Sequence, residues 1–181
     1  MRLAATLDRM DSIEPSWEAR NAELWRLIDT FEADEFVAAV DRLAGELPAA
    51  SAVAIFERGC ARDSTGRPDL AVPLYRAALN TGLSGLRRRR AVIQMASSLR
   101  NLGDPVEAAR LLAAEIGAGS DELDGAVCAF LALALADLGR EREALSCSLV
   151  ALSNYLPRYN RSLARYAVDL VAVRGQATSA S

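Results

Sequence analysis

A glycine-centred turn recurs three times at nearly constant spacing, and no other feature of this chain constrains its fold as much. The stretches TGRPDLAVPLYRAAL (65–79), LGDPVEAARLLAAEI (102–116) and LGREREALSCSLVAL (138–152) align without a gap. Their glycines, Gly66, Gly103 and Gly139, lie 37 and 36 residues apart. Each has an alanine five residues later (Ala71, Ala108, Ala144) and a small residue seven residues earlier (Gly59, Ala96, Ala132). A unit repeated at such a period buries its apolar face only against its neighbours, so the repeat fixes the architecture before local propensity is weighed.

Each position has a mechanical reason. The glycine supplies the left-handed conformation that ends a helix, and Pro68 or Pro105 falls in the first turn of the next helix, where a missing N–H costs nothing. Gly139 is followed by Arg-Glu instead, which puts Glu141 near the positive end of a helix. The small pairs Gly59/Ala71, Ala96/Ala108 and Ala132/Ala144 let two antiparallel helices approach closely, and Leu79, Ile116 and Leu152 are expected to fill the space against the following hairpin. Hydrophobic residues make up 51% of the 181 residues but aromatics only 6%, so the core is built from Ala, Leu and Val, which suits helix packing. The reading is an all-α stack of helical hairpins.

The pattern of small residue, Gly, Ala and a large residue four further on (Tyr75, Leu112) resembles the tetratricopeptide repeat, whose period is about 34 residues. The extra residues fit in the loops TGLSG (81–85) and GAGSD (117–121). The stretches GLSGLRRRRAVIQMASSLRNLG, LALALADLGREREAL and YLPRYNRSLARYA resemble the bacterial group-five tetratricopeptide repeat proteins. The resemblance implies a right-handed α-α superhelical solenoid in one domain, with repeats at 52–82, 89–117 and 125–156, a capping helix at 158–174 and a flexible tail at 175–181. Arg58 and Arg62 depart from it where large apolar residues are usual, as does Ser148. Upstream, 15–47 reads as a degenerate repeat or capping hairpin. Trp17, Leu24, Ile28 and Phe31 share one helical face there, and Phe36, Val40 and Leu43 point inward from a second helix. Residues before about Asp11 are expected to fray.

All 21 basic residues are arginine, and the chain has neither His nor Lys. That removes Ser-His-Asp and Cys-His catalysis, imidazole metal ligands, the Schiff-base lysine and the P-loop lysine together. Cys60, Cys128 and Cys147 are odd in number and form no CxxC pair, as expected of free thiols in a reducing compartment. A net charge of −3 gives no general attraction to nucleic acid or to a membrane surface. No 18-residue apolar span is present. The expectation is a cytoplasmic, non-catalytic protein without cofactor or metal.

The resemblance also implies a concave groove lined by the first helix of each hairpin. By position it receives Val53, Phe56, Cys60, Asp63 and Ser64; Arg90, Ile93, Gln94, Ser97, Arg100 and Asn101; and Ala126, Ala129, Phe130, Leu133 and Asp137. Arg90, Gln94, Ser97 and Asn101 step along one side at helical spacing and form a polar stripe suited to a peptide main chain or carboxylate, and Arg100, Phe130 and Asp137 join them as candidate ligand-binding residues. The run Arg87–Arg90 points around most of a helix circumference, so it suits pairing with carboxylates better than a flat phosphate surface. In SDELD (120–124), Ser120 is expected to cap a helix whose first turn carries the acids. Arg158, Arg161, Arg165, Tyr159 and Tyr166 gather on the last helix. The function these features support is a scaffold binding a peptide or protein segment in the groove. The alternative is homodimerisation through exposed Trp17, Trp25 and Phe130.

Overall fold

A computed structural model describes residues 15–172. Helices α1 (Pro15–Arg26), α2 (Ala33–Ala44), α3 (Ala52–Ser64), α4 (Pro68–Asn80), α5 (Gly85–Asn101), α6 (Pro105–Ile116), α7 (Asp124–Asp137), α8 (Glu141–Ser153) and α9 (Asn160–Ala172) follow one another, with a 3-10 turn at Ile28–Thr30. No strand occurs among the described residues. The terminal residues expected to fray or to form the tail lie outside those described.

Gly66, Gly103 and Gly139 occupy equivalent bends with φ of 78°, 89° and 68°. Each carries the same pair of closing bonds. The glycine N–H reaches Asp63, Arg100 or Ala136, and the next N–H reaches back to Arg62, Leu99 or Leu135 at 2.8 to 2.9 Å. These satisfy carbonyls that the helix end leaves orphaned, which is why the turn repeats as a unit. Pro68 and Pro105 open α4 and α6, and Asp104 caps α6 by accepting the N–H of Glu107.

Consecutive helices pack in series, and α5 also touches both α3 and α7. The small residues do what their spacing predicts. A Cβ added at Gly59 would stand 3.0 Å from the Tyr75 ring and 3.3 Å from Leu74 Cβ. Ala71, Ala96, Ala108, Ala132 and Ala144 are all buried, as are Tyr75 and Leu112. The residues between hairpins differ from expectation. Ile116 and Leu152 are about half exposed, and the inward positions are one residue earlier, at Ala78, Glu115 and Ala151. One residue is a rotation of about 100° on a helix, enough to move a side chain from the seam to the surface.

The upstream hairpin joins the stack through α3. The face expected to run from Trp17 to Phe31 is interrupted, because α1 stops at Arg26 and the 3-10 turn carries Ile28. Trp17 is buried, its indole N–H donating 2.9 Å to the carbonyl of Leu43, and Phe36 packs edge-on against Trp25 and Phe31. Arg58 and Arg62, the departures from the repeat pattern, both turn to Asp41 of α2, Arg62 with two bonds of 2.9 and 2.8 Å. Charge there replaces the apolar contact that the repeat otherwise uses.

Candidate functional site: the inner face of the stack

The predicted groove positions fall in columns along the first helices, and the three central columns are buried at the N-terminal end and open toward α7. Phe56 and Ile93 are buried where Ala129 is exposed, and Cys60 is buried where Ser97 is half-buried and Leu133 is 46% exposed. Glu57, one repeat before Gln94 and two before Phe130, is only 2% exposed, whereas Phe130 is half-buried. The N-terminal hairpin explains this gradient. Trp25 of α1 donates to Glu57 at 2.9 Å, and Glu18 of α1 receives Arg87 of α5. The inner face is therefore occupied at its N-terminal end and open along α5 and α7.

The polar stripe is partly engaged within the chain. Cys60 donates its thiol to Gln94 Oε1 at 3.3 Å, and Arg90 lies with its guanidinium 5.3 Å from the centre of the Phe56 ring. Arg100 pairs with Asp137 of the next repeat, Nε to Oδ2 at 2.5 Å. So Arg100 and Asp137 do come together, but as each other's counterions. Ser97 is half-buried, and Asn101 and Arg90 are exposed. Asp63 accepts from Ser98 at 2.8 Å and from Tyr75 at 3.1 Å; burial raises its pKa, and those two bonds oppose the rise.

Three of the four arginines in the run, Arg87, Arg88 and Arg89, are neutralised internally. Arg87 meets Glu18 and Glu57, Arg88 meets Glu115, and the buried Arg89 meets Asp121 at 2.5 Å and Asp124 at 2.8 Å. Ser120 is not the cap of α7, which begins at Asp124 after Leu123 without a side-chain cap. Its hydroxyl donates to Asp124 instead, and Asp121 takes the N–H of Leu123. Asp121 and Asp124 of the SDELD segment thus serve Arg89. A cleft of about 210 Å³ beside them is lined by Arg88 and Arg89 against Glu115 and Asp121, so its charges are balanced.

The buried nucleophiles are held in their neutral forms. Burial pushes up both the Cys60 thiol and the Tyr75 phenol. Cys128 and Cys147, distant in sequence, interact across the α7–α8 hairpin, and burial together with Cys128 pushes Cys147 up to about 12. All three thiols are free, and no group of three or more metal-ligating side chains occurs among the described residues.

With the repeated bends, the small-residue seams and the inner columns in place, the sequence pattern of the Tetratrico peptide repeat family, group five, matches residues 52–170. The chain is a tetratricopeptide repeat protein. The match runs through α9, so the last helix falls within the span that the family pattern covers. No curated protein and no solved structure gives a match. The family is in general one of non-catalytic protein-interaction scaffolds, and no described helix is long and apolar enough to cross a membrane. The patch offered for homodimerisation is largely absent from the surface of this tetratricopeptide repeat protein: Trp17 is 3% exposed, and Trp25 is half-buried against the core.

What sequence reasoning missed is the Glu18–Arg87–Glu57–Trp25 network. Its signal was present: Glu57 is a carboxylate one register step before Gln94, among positions that pack against a neighbour.

Proposed function

We propose that this protein is a non-catalytic scaffold that binds a protein or peptide segment along the inner face of α5 and α7. The observation that carries the reading is the burial gradient. Ala126, Ala129, Phe130 and Leu133 make an accessible apolar stripe on α7, and Arg90, Gln94, Ser97 and Asn101 make a polar one on α5. A bound segment can set apolar side chains on the first and satisfy its main chain on the second, the usual division between anchor and orienting contacts. Arg90 is well placed to orient it, because it has no carboxylate partner among the described residues, whereas Arg100 must first leave Asp137.

The test is capture of a native partner by the full chain, compared between wild type, Arg90→Glu with Arg100→Glu, and Leu133→Arg. Both variants should lose the partner; Leu133→Arg, at an exposed position, should melt within a few degrees of wild type, and Arg90→Glu alone is the control for the double variant, which also breaks the Arg100–Asp137 pair. Retention of the partner by both would rule out this face as the binding surface.

A further inference from the structure

Among the described residues the stack ends on half a hairpin. α9 packs against α8 as α5 does against α4 and as α7 does against α6. Ala167, 36 residues after the buried Leu131, is itself fully buried, so α9 keeps the register of a first helix. No second helix follows it among the described residues. Gly175, 36 residues after Gly139, lies outside them.

Three columns record what that second helix would cover. Gly59 faces Tyr75 and Leu74 of α4, and its equivalents Ala96 and Ala132 are buried; Val168, at the same position on α9, is 55% exposed. Three residues further on, Leu99 and Leu135 are buried, whereas Val171 is 39% exposed. Val72 of α4 and Ala109 of α6, each followed by a complete hairpin, are buried, and their equivalent Leu145 on α8 is 50% exposed. A cleft of about 240 Å³ lies at the end of the same face, between the start of α8 and the end of α9, with Gly139, Arg142, Leu170 and Val171 in its walls. In the preceding hairpins an antiparallel helix fills the equivalent place, so a helix is the shape this face accepts.

We infer that the occupant is α9 of a second copy of this chain, the two helices running antiparallel about a twofold axis near Ala167. Residues 176–181 bring only Gln, Ala, Thr and Ser, none of them large and apolar enough to cover Leu145 and Val168. α9 supplies the matching surface itself, because Ala164, Val168 and Val171 recur at steps of four and three residues and make one apolar stripe. Charge sets the direction. Arg165 and Asp169 are exposed, lie one turn apart on the flank of that stripe and form no ion pair with each other; arginine before the acid is the weaker order on a helix. In an antiparallel pair a flank meets its own counterpart, which brings Arg165 of each copy beside Asp169 of the other. Arg161, in the first turn, is carried toward the carbonyl end of the other helix, where a cation is favoured. The inference is independent of the groove reading and concerns a different face.

The test is sedimentation equilibrium of the full chain over a series from about 1 to 500 μM. A single helix pair buries less than a standard interface, so the chain should pass from monomer to dimer with a dissociation constant of roughly 10–100 μM and stop there, because an isologous contact closes. Val168→Glu and Arg165→Asp should each weaken the dimer at least about tenfold, and Arg165→Asp combined with Asp169→Arg should restore it. All three positions are exposed, so the melting curves of the variants should match wild type at concentrations where it is monomeric. A monomer throughout the series overturns the inference, and so does a dimer that Val168→Glu leaves intact. Growth beyond the dimer, or a charge exchange that fails to restore it, overturns the antiparallel pairing and the inference with it.

Discussion

Arg87 grips Glu18 with both terminal guanidinium nitrogens, at 2.9 and 2.6 Å, across a sequence separation of 69 residues. The same arginine turns its Nε to Glu57 at 3.2 Å, and Glu57 also accepts the indole N–H of Trp25. One buried carboxylate thus fastens α3 to both α1 and α5. Truncation by Glu57→Ala leaves a buried indole donor without an acceptor and removes one of the two carboxylates of Arg87, a loss of about 2–3 kcal/mol. Glu57→Gln keeps an acceptor for the indole and should cost less. Urea unfolding of the two variants checks this; an unchanged midpoint for Glu57→Ala would mean that the network contributes nothing.

The three bends make equal demands on their glycines. A Cβ at Gly66 or Gly103 would meet nothing within 4 Å, and one at Gly139 only a Glu141 oxygen at 4.0 Å, so substitution tests backbone conformation alone. Alanine at any of the three should cost about 1–2 kcal/mol, because each is held at positive φ. Gly117, also with open space but in the right-handed region, is the control, and alanine there should be neutral or slightly stabilising. Thermal unfolding of the four variants gives the comparison. A harmless Gly103→Ala would contradict the equivalence of the bends.

The fold was legible because its decisive residues act locally. A glycine and two small residues declare a turn and a close helix contact without reference to anything distant, and they did so at 66, 103 and 139, with a proline added at the first two. The seam residues were less legible. Leu79 does pack against the core, but Ile116 and Leu152, equally core-like in composition, stand about half exposed, because a rotation of one residue decides which side chain enters the seam, and in α6 the buried position is held by Glu115 in a pair with Arg88. The candidate site was half legible. Its lining followed from position, whereas the pairing of Arg100 with Asp137 and the neutralisation of Arg87 to Arg89 depend on which carboxylates the superhelix brings close. A sequence gives the charges but not that closeness.

The thiols should separate by reactivity. Cys60 is fully buried, and burial followed by Glu57 pushes its pKa up, so it should resist iodoacetamide until the chain unfolds. Cys147, at about 12, carries at pH 8 only about one part in ten thousand thiolate, the form that reacts. Mass spectrometry of the folded chain after brief alkylation at pH 8 should find both largely unmodified and both modified once denaturant is added. Rapid labelling of Cys60 in native buffer would show that α3 and α5 separate readily.

Asp124 provides the pH test. The Ser120 hydroxyl, the Asp121 N–H and the Arg89 guanidinium hold its carboxyl below the ordinary value of 3.8. A carboxyl depressed in the folded state binds its proton more weakly there than in the unfolded chain. Its contribution to stability is therefore present above 3.8 and is lost as pH falls through the lower folded value. Asp124→Asn should melt below wild type at pH 7, because the buried Arg89 then keeps only Asp121 and Glu115. The gap should close as pH is stepped down past 3.8, where wild type also loses the charge. Melting curves for both proteins across that range decide the matter. A gap that persists at the acid end would mean that Asp124 acts through the shape of the loop entering α7, and that Arg89 does not need its charge.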